Sequence, residues 1–254
     1  MDCYKLVNKD NHTYPIVISI PHSGTYVPPN VRRQMKPQAI LPNTDWFLPK
    51  LYSFLQEMGL TVIQANINRN VIDLNRNLSG NISGDYHSLI YLNNTHGSPL
   101  YNRPLTQPEI AQRIEQYYEP YHRELNSCIE HKLRVYPQIL LLDLHSFFKD
   151  FTDAPDGDII LSDFDHTCSS SKTFSLIKSG FEVEGYSVSE NTIKGGHITT
   201  GYKVLWEHRI EAIQIELRYS AYLSKRYFSE EEVTSYDDTL FDGAIRKLKR
   251  IFLN

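Results

Sequence analysis

Cysteine is scarce in this 254-residue chain, and no CxxC pair of the metal or redox type occurs. The three cysteines are Cys3, Cys128 and Cys168, so one of them stays unpaired whichever two bond. An odd, small number argues against a disulfide framework and suits a reducing compartment. The sequence also lacks the roughly 20 consecutive apolar residues of a membrane span and the basic-then-apolar order of a signal peptide. We therefore expect a cytoplasmic protein that does not act at a membrane.

An excess of positive charge is missing as well. Lys and Arg number 26 and Asp and Glu number 30, which gives a formal net charge of −4 and a pI near 6.2. Without long runs of one sign, this balance argues against a nucleic-acid-binding protein. Hydrophobic residues make up 41% and charged residues 22%, as in ordinary globular proteins. No repeat or linker divides the chain, so we expect a single domain over residues 1–254.

Motifs for serine or cysteine nucleophiles are absent too. There is no GxSxG string, and none of the cysteines lies in a recognisable nucleophile motif. The string KGGH at 194–197 lacks the context and spacing of a phosphate-binding loop. These absences favour a metal-assisted hydrolysis over acyl transfer to a side chain.

Short apolar runs alternate with helical periodicity along the chain. The runs predict strands and the periodicity predicts helices. The predicted strands cover residues 15–20, 60–67, 138–144, 158–162 and 211–217, and the predicted helices cover 44–59, 106–136 and 237–253. Residues 77–104 show no period and predict a long substrate-facing loop. The alternation predicts an α/β fold with a doubly wound, mostly parallel mixed sheet, helices on both faces and ligands bound beyond the carboxyl ends of the strands.

Two histidines follow apolar strand runs, where such a fold gathers its functional side chains. They are His22 and His145, and neutral imidazole is a favoured zinc ligand. A catalytic zinc takes three protein ligands, so a carboxylate is needed as the third. Asp45 is a candidate, although an Asp before an apolar helical run is typical of an N-cap, which the spacing alone favours. Asp143 lies two residues before His145 and either orients that ring or is structural.

Other charged residues have two possible roles each. Glu216 lies within a predicted strand, where a buried carboxylate needs a partner or a function, such as taking a proton from water. The alternative is an edge-strand Glu that faces solvent. The Asn-Arg pairs 68–69 and 75–76 suit recognition of a carboxylate, although arginines that flank a strand more often form surface ion pairs. From the residues alone, the sequence predicts a metallohydrolase.

Eight short strings, in one order, resemble the N-formylglutamate amidohydrolase family from about residue 17 to residue 222. They are VISIPHSG, LPNTDWFLPKLY, RNVIDLNR, GSPLYNRP, PYHREL, LLDLHSF, KGGHITTGY and AIQIEL. The resemblance implies a fold similar to zinc carboxypeptidases and to the aspartoacylase and succinylglutamate desuccinylase group. It implies a hydrolase that uses Zn²⁺ or another divalent metal ion to cleave a small N-acyl amino acid, first of all N-formyl-L-glutamate. A carboxypeptidase-like or other deacylase and a catalytically silent carboxylate-binding protein are the alternatives.

The same resemblance implies roles for individual residues. His22 and His145 would be metal ligands, and Asn75 and Arg76 would bind the substrate carboxylate. Arg69 would polarise the scissile carbonyl, and Glu216 would be the general base.

Two positions depart from the related proteins. The distant relatives have a glutamate three residues after the first histidine, where this chain has Thr25. The TDW string of the family itself makes Asp45 the expected third metal ligand. His197 stands where the family commonly has a tyrosine, and we place it in the substrate pocket.

Overall fold

The computed structural model describes residues 2–148, 157–224 and 231–253. The strands in these ranges are β1 (Tyr4–Val7), β2 (Ile16–Ile20), β3 (Thr61–Ala65), β4 (Ser83–Gly84), β5 (Ile90–Tyr91), β6 (Ile139–Phe147), β7 (Ile159–Ser162), β8 (Val188–Glu190) and β9 (Ile210–Arg218). The α-helices are α1 (Pro29–Arg32), α2 (Leu48–Leu51), α3 (Phe54–Glu57), α4 (Gln107–Arg113), α5 (Glu119–Leu133), α6 (Ser171–Val183), α7 (His197–Trp206) and α8 (Asp238–Leu253). A π-helical turn, Ile114–Tyr118, joins α4 to α5, and short 3₁₀ turns, Glu207–Arg209 and Tyr219–Ala221, flank β9.

Seven strands form one mixed sheet in the order β1-β3-β2-β6-β9-β7-β8. The four central strands β3, β2, β6 and β9 run parallel to one another. Antiparallel pairs occur outside this centre, where β1 pairs with β3 and β7 pairs with β9. The predicted α/β architecture with a mostly parallel mixed sheet is confirmed.

Helices cover both faces of the sheet because side chains alternate along the central strands. In β6, Leu141 packs into one hydrophobic cluster, and Leu142 and Leu144 pack into the other. The first cluster contains Tyr121 of α5 and Ile198 of α7, together with other residues of those helices. The second contains residues of α2, α3, α6 and α8. Consequently Asp143 and His145, which follow Leu141 at intervals of two, lie on the face that α5 and α7 cover.

Some boundaries differ from the sequence prediction. The strand expected at 138–144 continues to Phe147, because its pairing with β9 continues as far as Arg218. His145 therefore lies inside the strand and not beyond it. The helix expected over 44–59 is two single-turn helices, α2 and α3, which bury Leu48, Leu51 and Phe54. The prediction did not include β1, β8, α1, α6 or α7, nor the short strands β4 and β5 in the region expected as a loop.

The helix expected at 106–136 is observed, with an interruption. The backbone N–H of Thr106 donates to Glu109 Oε2 at 2.8 Å, which confirms the capping box at the start of α4. The helix then runs through the π-helical turn into α5, which ends at Leu133. None of the helices in the described ranges is both long and apolar enough to cross a membrane.

Gly24 allows the loop after β2 to approach the segment after β3. The two form a parallel bridge between Gly24 and Asn68, and a Cβ on Gly24 would lie 2.2 Å from the carbonyl oxygen of Ile67. Because the obstacle is backbone, it cannot rotate away. The loop that carries His22 is thus fixed against the segment that carries Arg69.

Gly24→Ala should push these two segments apart and lower the stability of the fold. Overpacking of this kind costs about 1–3 kcal/mol, which corresponds to a fall of roughly 3–10 °C in Tm measured by calorimetry. Gly243→Ala is the matched control, because a Cβ there meets its nearest neighbour at 3.9 Å. That residue lies within α8, so the control should keep or raise Tm. Equal Tm values for wild type and Gly24→Ala would contradict the close approach.

Candidate active site and metal centre

The residues selected from the sequence converge at the carboxyl ends of the central parallel strands. His22 follows β2, and His145 of β6 lies in register with Glu216 of β9. Asp45 is brought to this edge by its backbone N–H, which donates to the carbonyl oxygen of His22 at 3.0 Å. All four side chains are buried. The topology therefore joins three distant parts of the sequence in one site, as expected for a doubly wound sheet.

His22, Asp45 and His145 form a compact group of metal-binding type. Each offers one ligand atom, and these atoms lie within 4.8 Å of one another. The two imidazole rings are 4.6 Å apart between centroids, and Nδ1 of His145 is 3.1 Å from Oδ2 of Asp45. Asp45 is not the N-cap of α2, since Phe47 occupies that position. The three residues could therefore hold one metal ion together, and their role as its ligands stays a prediction.

A second carboxylate orients each histidine ring. Nε2 of His22 is 2.6 Å from Oδ1 of Asp73, and Nε2 of His145 is 2.9 Å from Oδ2 of Asp143. These contacts leave Nδ1 of each ring as the nitrogen not held by the orienting carboxylate. Carboxylates in this position commonly fix the ring of a metal-bound histidine and raise its basicity. Of the two roles considered for Asp143, the structure thus favours orientation of His145.

Asp73 connects the group of His22, Asp45 and His145 to the arginines. Its Oδ2 accepts from Nη2 of Arg69 at 3.0 Å and from the hydroxyl of Tyr91. Its Oδ1 also accepts from the backbone N–H of Asn75 at 2.8 Å. Although burial opposes its charge, His22, Arg76 and Arg69 hold the pKa of Asp73 well below its ordinary value. Asp73 is therefore an ionised anchor for the site.

Asn75 is held on both sides of its amide. Nδ2 donates to Oδ2 of Asp143 at 2.8 Å, and Oδ1 accepts from the backbone N–H of Ile198 at 2.8 Å. The close approach of Gly196 permits this, since a Cβ there would lie 2.3 Å from the Asn75 amide. One amide proton of Asn75 thus fixes Asp143 and its oxygen fixes the start of α7. Its role with substrate stays a prediction.

Glu216 faces His145 from the neighbouring strand. Gln214, on the same face of β9, donates from Nε2 to Oε1 of Glu216 at 2.8 Å. Gln214 Oε1 in turn accepts from the backbone N–H of Gly196 at 2.7 Å. Burial raises the pKa of Glu216 to about 7, although the neighbouring His145 lowers it. A carboxyl with a pKa in this range can both take and return a proton near neutral pH.

The two histidines differ in charge. Burial, and secondly the neighbouring Arg69, lower the pKa of His22 to about 4, so this ring is neutral at pH 7. Burial also opposes the charge of His145, but Asp143 and Asp45 raise its pKa well above the ordinary value. A metal ligand must be a neutral imidazole, so a cation bound at His145 would take the place of this proton.

The chemistry of the donor set fits a divalent cation. Four carboxylates and two guanidinium groups converge in this buried site, and the proton on His145 balances part of the remaining negative charge until a cation takes its place. The carboxylates are Asp45, Asp73, Asp143 and Glu216, and the guanidinium groups are Arg69 and Arg76. Oδ1 of Asp45 and Oδ1 of Asp143 are buried without a hydrogen-bond partner within the described ranges. Such atoms are costly unless a cation or a polar ligand contacts them.

A cavity of about 780 Å³ opens beside this cluster. Asn75 belongs to both, because it contacts Asp143 and also lines the cavity. Arg76, His197, Tyr118 and His122 line it too. Nε of Arg76 is buried and has no hydrogen-bond partner in the described part of the chain, although it lies 3.9 Å from Asp73. The cavity therefore presents a guanidinium group next to the cluster.

Sequence reasoning did not assign a role to Asp73, Tyr91 or Gln214. Asp73 lies in the DLNR string, so its position in a shared motif was an available signal. Tyr91 is in the aperiodic region 77–104, where no pattern distinguishes one tyrosine from another. Gln214 lies two residues before Glu216 and shares its strand face, which the period of two indicates.

Comparison with known proteins identifies the family. The profile of the N-formylglutamate amidohydrolase family matches residues 14–223. The chain belongs to this family. A protein named N-formylglutamate deformylase from Pseudomonas putida is 33% identical over 225 residues, which cover 83% of this chain and 82% of that protein. A protein of the same name from Pseudomonas aeruginosa is 31% identical over 229 residues, covering 84% and 83%.

Solved structures support the same fold. An N-formylglutamate amidohydrolase from Ralstonia eutropha JMP134 matches with a TM-score of 0.80 and 23% identity, covering 100% of this chain and 98% of that chain. A gene product from Agrobacterium tumefaciens matches with a TM-score of 0.73 and 14% identity, covering 100% and 94%. The family resemblance and the fold class expected from the sequence are therefore both confirmed.

The raised pKa of Glu216 should appear in the stability of chelator-treated protein. The carboxyl ordinarily titrates near 4.5, and its pKa in the fold is about 7. Between these values the folded state holds the extra proton, so the stability of wild type falls as pH rises through this window. Glutamine does not titrate, so Glu216→Gln keeps the free energy of unfolding that wild type loses. For such a pKa shift this free energy is roughly 3 kcal/mol at pH 8.

The measurement is Tm of both proteins at pH 5 and pH 8 after chelation. Glu216→Gln should melt above wild type by about 5–10 °C at pH 8 and by much less at pH 5. Glu130→Gln, at an exposed position of α5, should show no such pH-dependent difference. A gap between wild type and Glu216→Gln that is the same at both pH values would contradict the raised pKa.

Proposed function

We propose that this protein hydrolyses the amide of an N-formyl amino acid, first of all N-formyl-L-glutamate, and releases formate and the free amino acid. The observation that carries the proposal is the single buried cluster of His22, Asp45, His145 and Glu216 beside a cavity that contains Arg76. The names of the Pseudomonas relatives support the choice of substrate. A single sheet with strands from residue 4 to residue 218 supports one catalytic domain over residues 1–254.

We assign a divalent metal ion, zinc or a similar one, to His22, Asp45 and His145. The convergence of two imidazole rings with a carboxylate, and the unpaired oxygen of Asp45, support this assignment. When bound, such an ion supplies a Lewis acid that polarises the scissile carbonyl and makes water easier to deprotonate. Asp73 and Asp143 keep the two rings in one orientation, so that reorganisation on binding is small.

Glu216 is the general base in this proposal. Gln214 occupies Oε1, so Oε2 is the oxygen left to take a proton from the attacking water. The same proton then passes to the nitrogen of the amide as the C–N bond breaks, which yields formate and the amine. A carboxyl that gains and loses a proton in one cycle works best with a pKa near the operating pH, as burial provides here.

Arg69 stabilises the negative charge that develops on the carbonyl oxygen. Its guanidinium group donates to the hydroxyl of Tyr91 and, at 3.2 Å, to the carbonyl oxygen of Asn43, besides its bond to Asp73. These partners fix its position before substrate arrives. A preorganised cation costs no reorganisation during the reaction, and such groups are often the largest single contribution to catalysis.

Arg76 and Asn75 bind the carboxylate of the substrate, and His197 forms part of the wall beside it. The guanidinium group of Arg76 donates weakly, at 3.4 Å, to the carbonyl oxygen of Tyr86. Its side chain is 28% exposed, so it is accessible from the cavity. A planar guanidinium group can form two parallel bonds to a carboxylate and thereby place the formyl group over the metal site.

The activity is tested by incubating metal-supplemented protein with a panel of substrates. The panel contains N-formyl-L-glutamate, N-acetyl-L-glutamate and a dipeptide that ends in glutamate, and both formate and free amine are measured. We expect release of formate and glutamate from the first compound at the highest kcat/KM. Faster cleavage of the dipeptide would favour a carboxypeptidase-like enzyme, and binding without turnover of any compound would favour a carboxylate-binding protein.

The metal assignment predicts about one divalent ion per chain after dialysis against zinc, measured by elemental analysis. The double variant His22→Ala, His145→Ala should lose it, because only one of the three ligands remains. His131→Ala is the control, since that ring lies outside the cluster and contacts the carbonyl oxygen of Lys9. Stoichiometric metal in the double variant would assign the ion to other residues.

Replacing Arg76 tests recognition of the carboxylate. Arg76→Lys keeps the charge but loses the paired geometry, so KM for N-formyl-L-glutamate should rise about tenfold or more. If the carboxylate also positions the formyl carbon, kcat falls too, by up to about 10²-fold for a displacement near 1 Å. N-formyl-glutamine α-amide is the matched substrate, on which wild type should be slow and Arg76→Lys should lose little more. Equal losses on both substrates would mean that Arg76 supports the fold.

A further inference from the structure

Side chains supply many of the hydrogen bonds that hold the irregular segment 70–76, which also forms backbone bonds with Leu89 and His197. This segment carries Asp73, Asn75 and Arg76 into the site. Four of its carbonyl oxygens accept hydrogen bonds from side chains elsewhere in the chain. The pairs are Tyr101 Oη to Asn70 at 3.1 Å, Arg113 Nη1 to Val71 at 3.0 Å, His122 Nε2 to Leu74 at 2.9 Å and Tyr118 Oη to Arg76 at 2.7 Å.

Three of these donors belong to the one helical stretch 107–133. They are Arg113, Tyr118 and His122, and all three are buried. Arg113 also donates to the hydroxyl of Tyr101 at 2.7 Å, so it supports the fourth donor as well. The helical stretch therefore contacts segment 70–76 near both ends of the segment and in the middle of the segment.

The π-helical turn places the three donors on one face. In an uninterrupted α-helix, residues five apart, such as Arg113 and Tyr118, differ by about 140° around the axis. The turn Ile114–Tyr118 absorbs the extra residue, and the backbone N–H of Glu119 bonds to the carbonyl oxygen of Ile114, five residues earlier. Tyr118 and His122 are four apart, which is the normal spacing on one α-helical face. Such turns are rare, and they occur frequently at functional sites.

The hydrogen-bond roles of His122 are fixed by its partners. Its Nδ1 is 2.7 Å from the hydroxyl of Tyr202, and its Nε2 faces the carbonyl oxygen of Leu74. A carbonyl only accepts, so Nε2 carries the proton, and a neutral ring then accepts from Tyr202 through Nδ1. Burial, and then the neighbouring His197, lower the pKa of His122 to about 3. The ring therefore donates one bond to the segment over the whole physiological pH range.

We infer that the helical stretch 107–133 is a positioning clamp for segment 70–76, and that Tyr118 sets the place of the Arg76 guanidinium group in the cavity. The inference deepens the proposed function, on which its kinetic test rests. Tyr118 touches the backbone of the very residue assigned to the substrate carboxylate. It acts through Arg76 and is a positioning residue.

Tyr118→Phe tests the clamp, because it removes only the hydroxyl that donates to the Arg76 carbonyl. The loss of one such bond should raise KM for N-formyl-L-glutamate about three- to tenfold. Because the Arg76 guanidinium group is retained and can still place the formyl group once substrate is bound, kcat should fall by a smaller factor than KM rises. Tyr117→Phe makes the same chemical change at the neighbouring, half-buried position and should leave both constants unchanged.

The Arg76→Lys background separates positioning from a general structural effect. There, Tyr118→Phe should change KM less than twofold, because the group that it positions is gone. An equal rise of KM in both backgrounds would overturn the inference, as would a fall of kcat at constant KM. So would an unchanged KM in the single variant.

Hydrogen exchange followed by mass spectrometry tests the clamp without any turnover. Amides of residues 71–77 should exchange several-fold faster in Tyr118→Phe than in wild type or Tyr117→Phe, with no change in peptides of β6 or β9. Unaltered exchange in 71–77 would overturn the inference. Wild type that neither binds nor cleaves N-formyl-L-glutamate, with faster exchange in Tyr118→Phe, would instead refute the proposed function and leave the clamp supported.

Discussion

Buried ionisable groups at the carboxyl edge of the central strands organise this molecule. Four carboxylates meet there with two guanidinium groups and with His145, whose pKa Asp143 and Asp45 raise. Burying charge is expensive, so the surrounding residues are arranged to pair and orient these groups. Asp73 is tied to His22 and Arg69, and Asp143 to His145 and Asn75. Oδ1 of Asp45 is left without a hydrogen-bond partner among the described residues.

The sheet and the loops have separate tasks in this arrangement. The paired strands β6 and β9 supply His145 and Glu216 at fixed spacing, since they are in direct register. The arginines come from a segment without regular structure, which can turn its side chains toward both the cluster and the cavity. A segment of this kind needs partners for its own backbone groups. The helical stretch 107–133 provides several of these partners, and its π-helical turn brings them onto one face of the helix.

Much of the site was predictable because the sequence patterns that signal strands are local. The apolar runs before His22 and around His145 and Glu216 predict strands, and parallel strands bring their carboxyl ends together. The family resemblance then assigns the roles, and the structure gathers the assigned residues around one cluster and one cavity. Asp45 could not be decided locally, because an N-cap and a metal ligand look alike before a helix. Its contact with His145, 100 positions away, depends on how the chain folds back.

The sequence by itself determined the α/β class, the ordinary charge balance and the chemical types available for catalysis, because periodicity and residue chemistry are properties of neighbouring positions. Only the tertiary structure decided that Asp73 orients His22 and joins it to Arg69, and that Arg113, Tyr118 and His122 share a face. Hydrogen bonds between residues 42 to 51 positions apart carry these decisions. Such pairings follow from the approach of distant segments in space, and no local pattern records them.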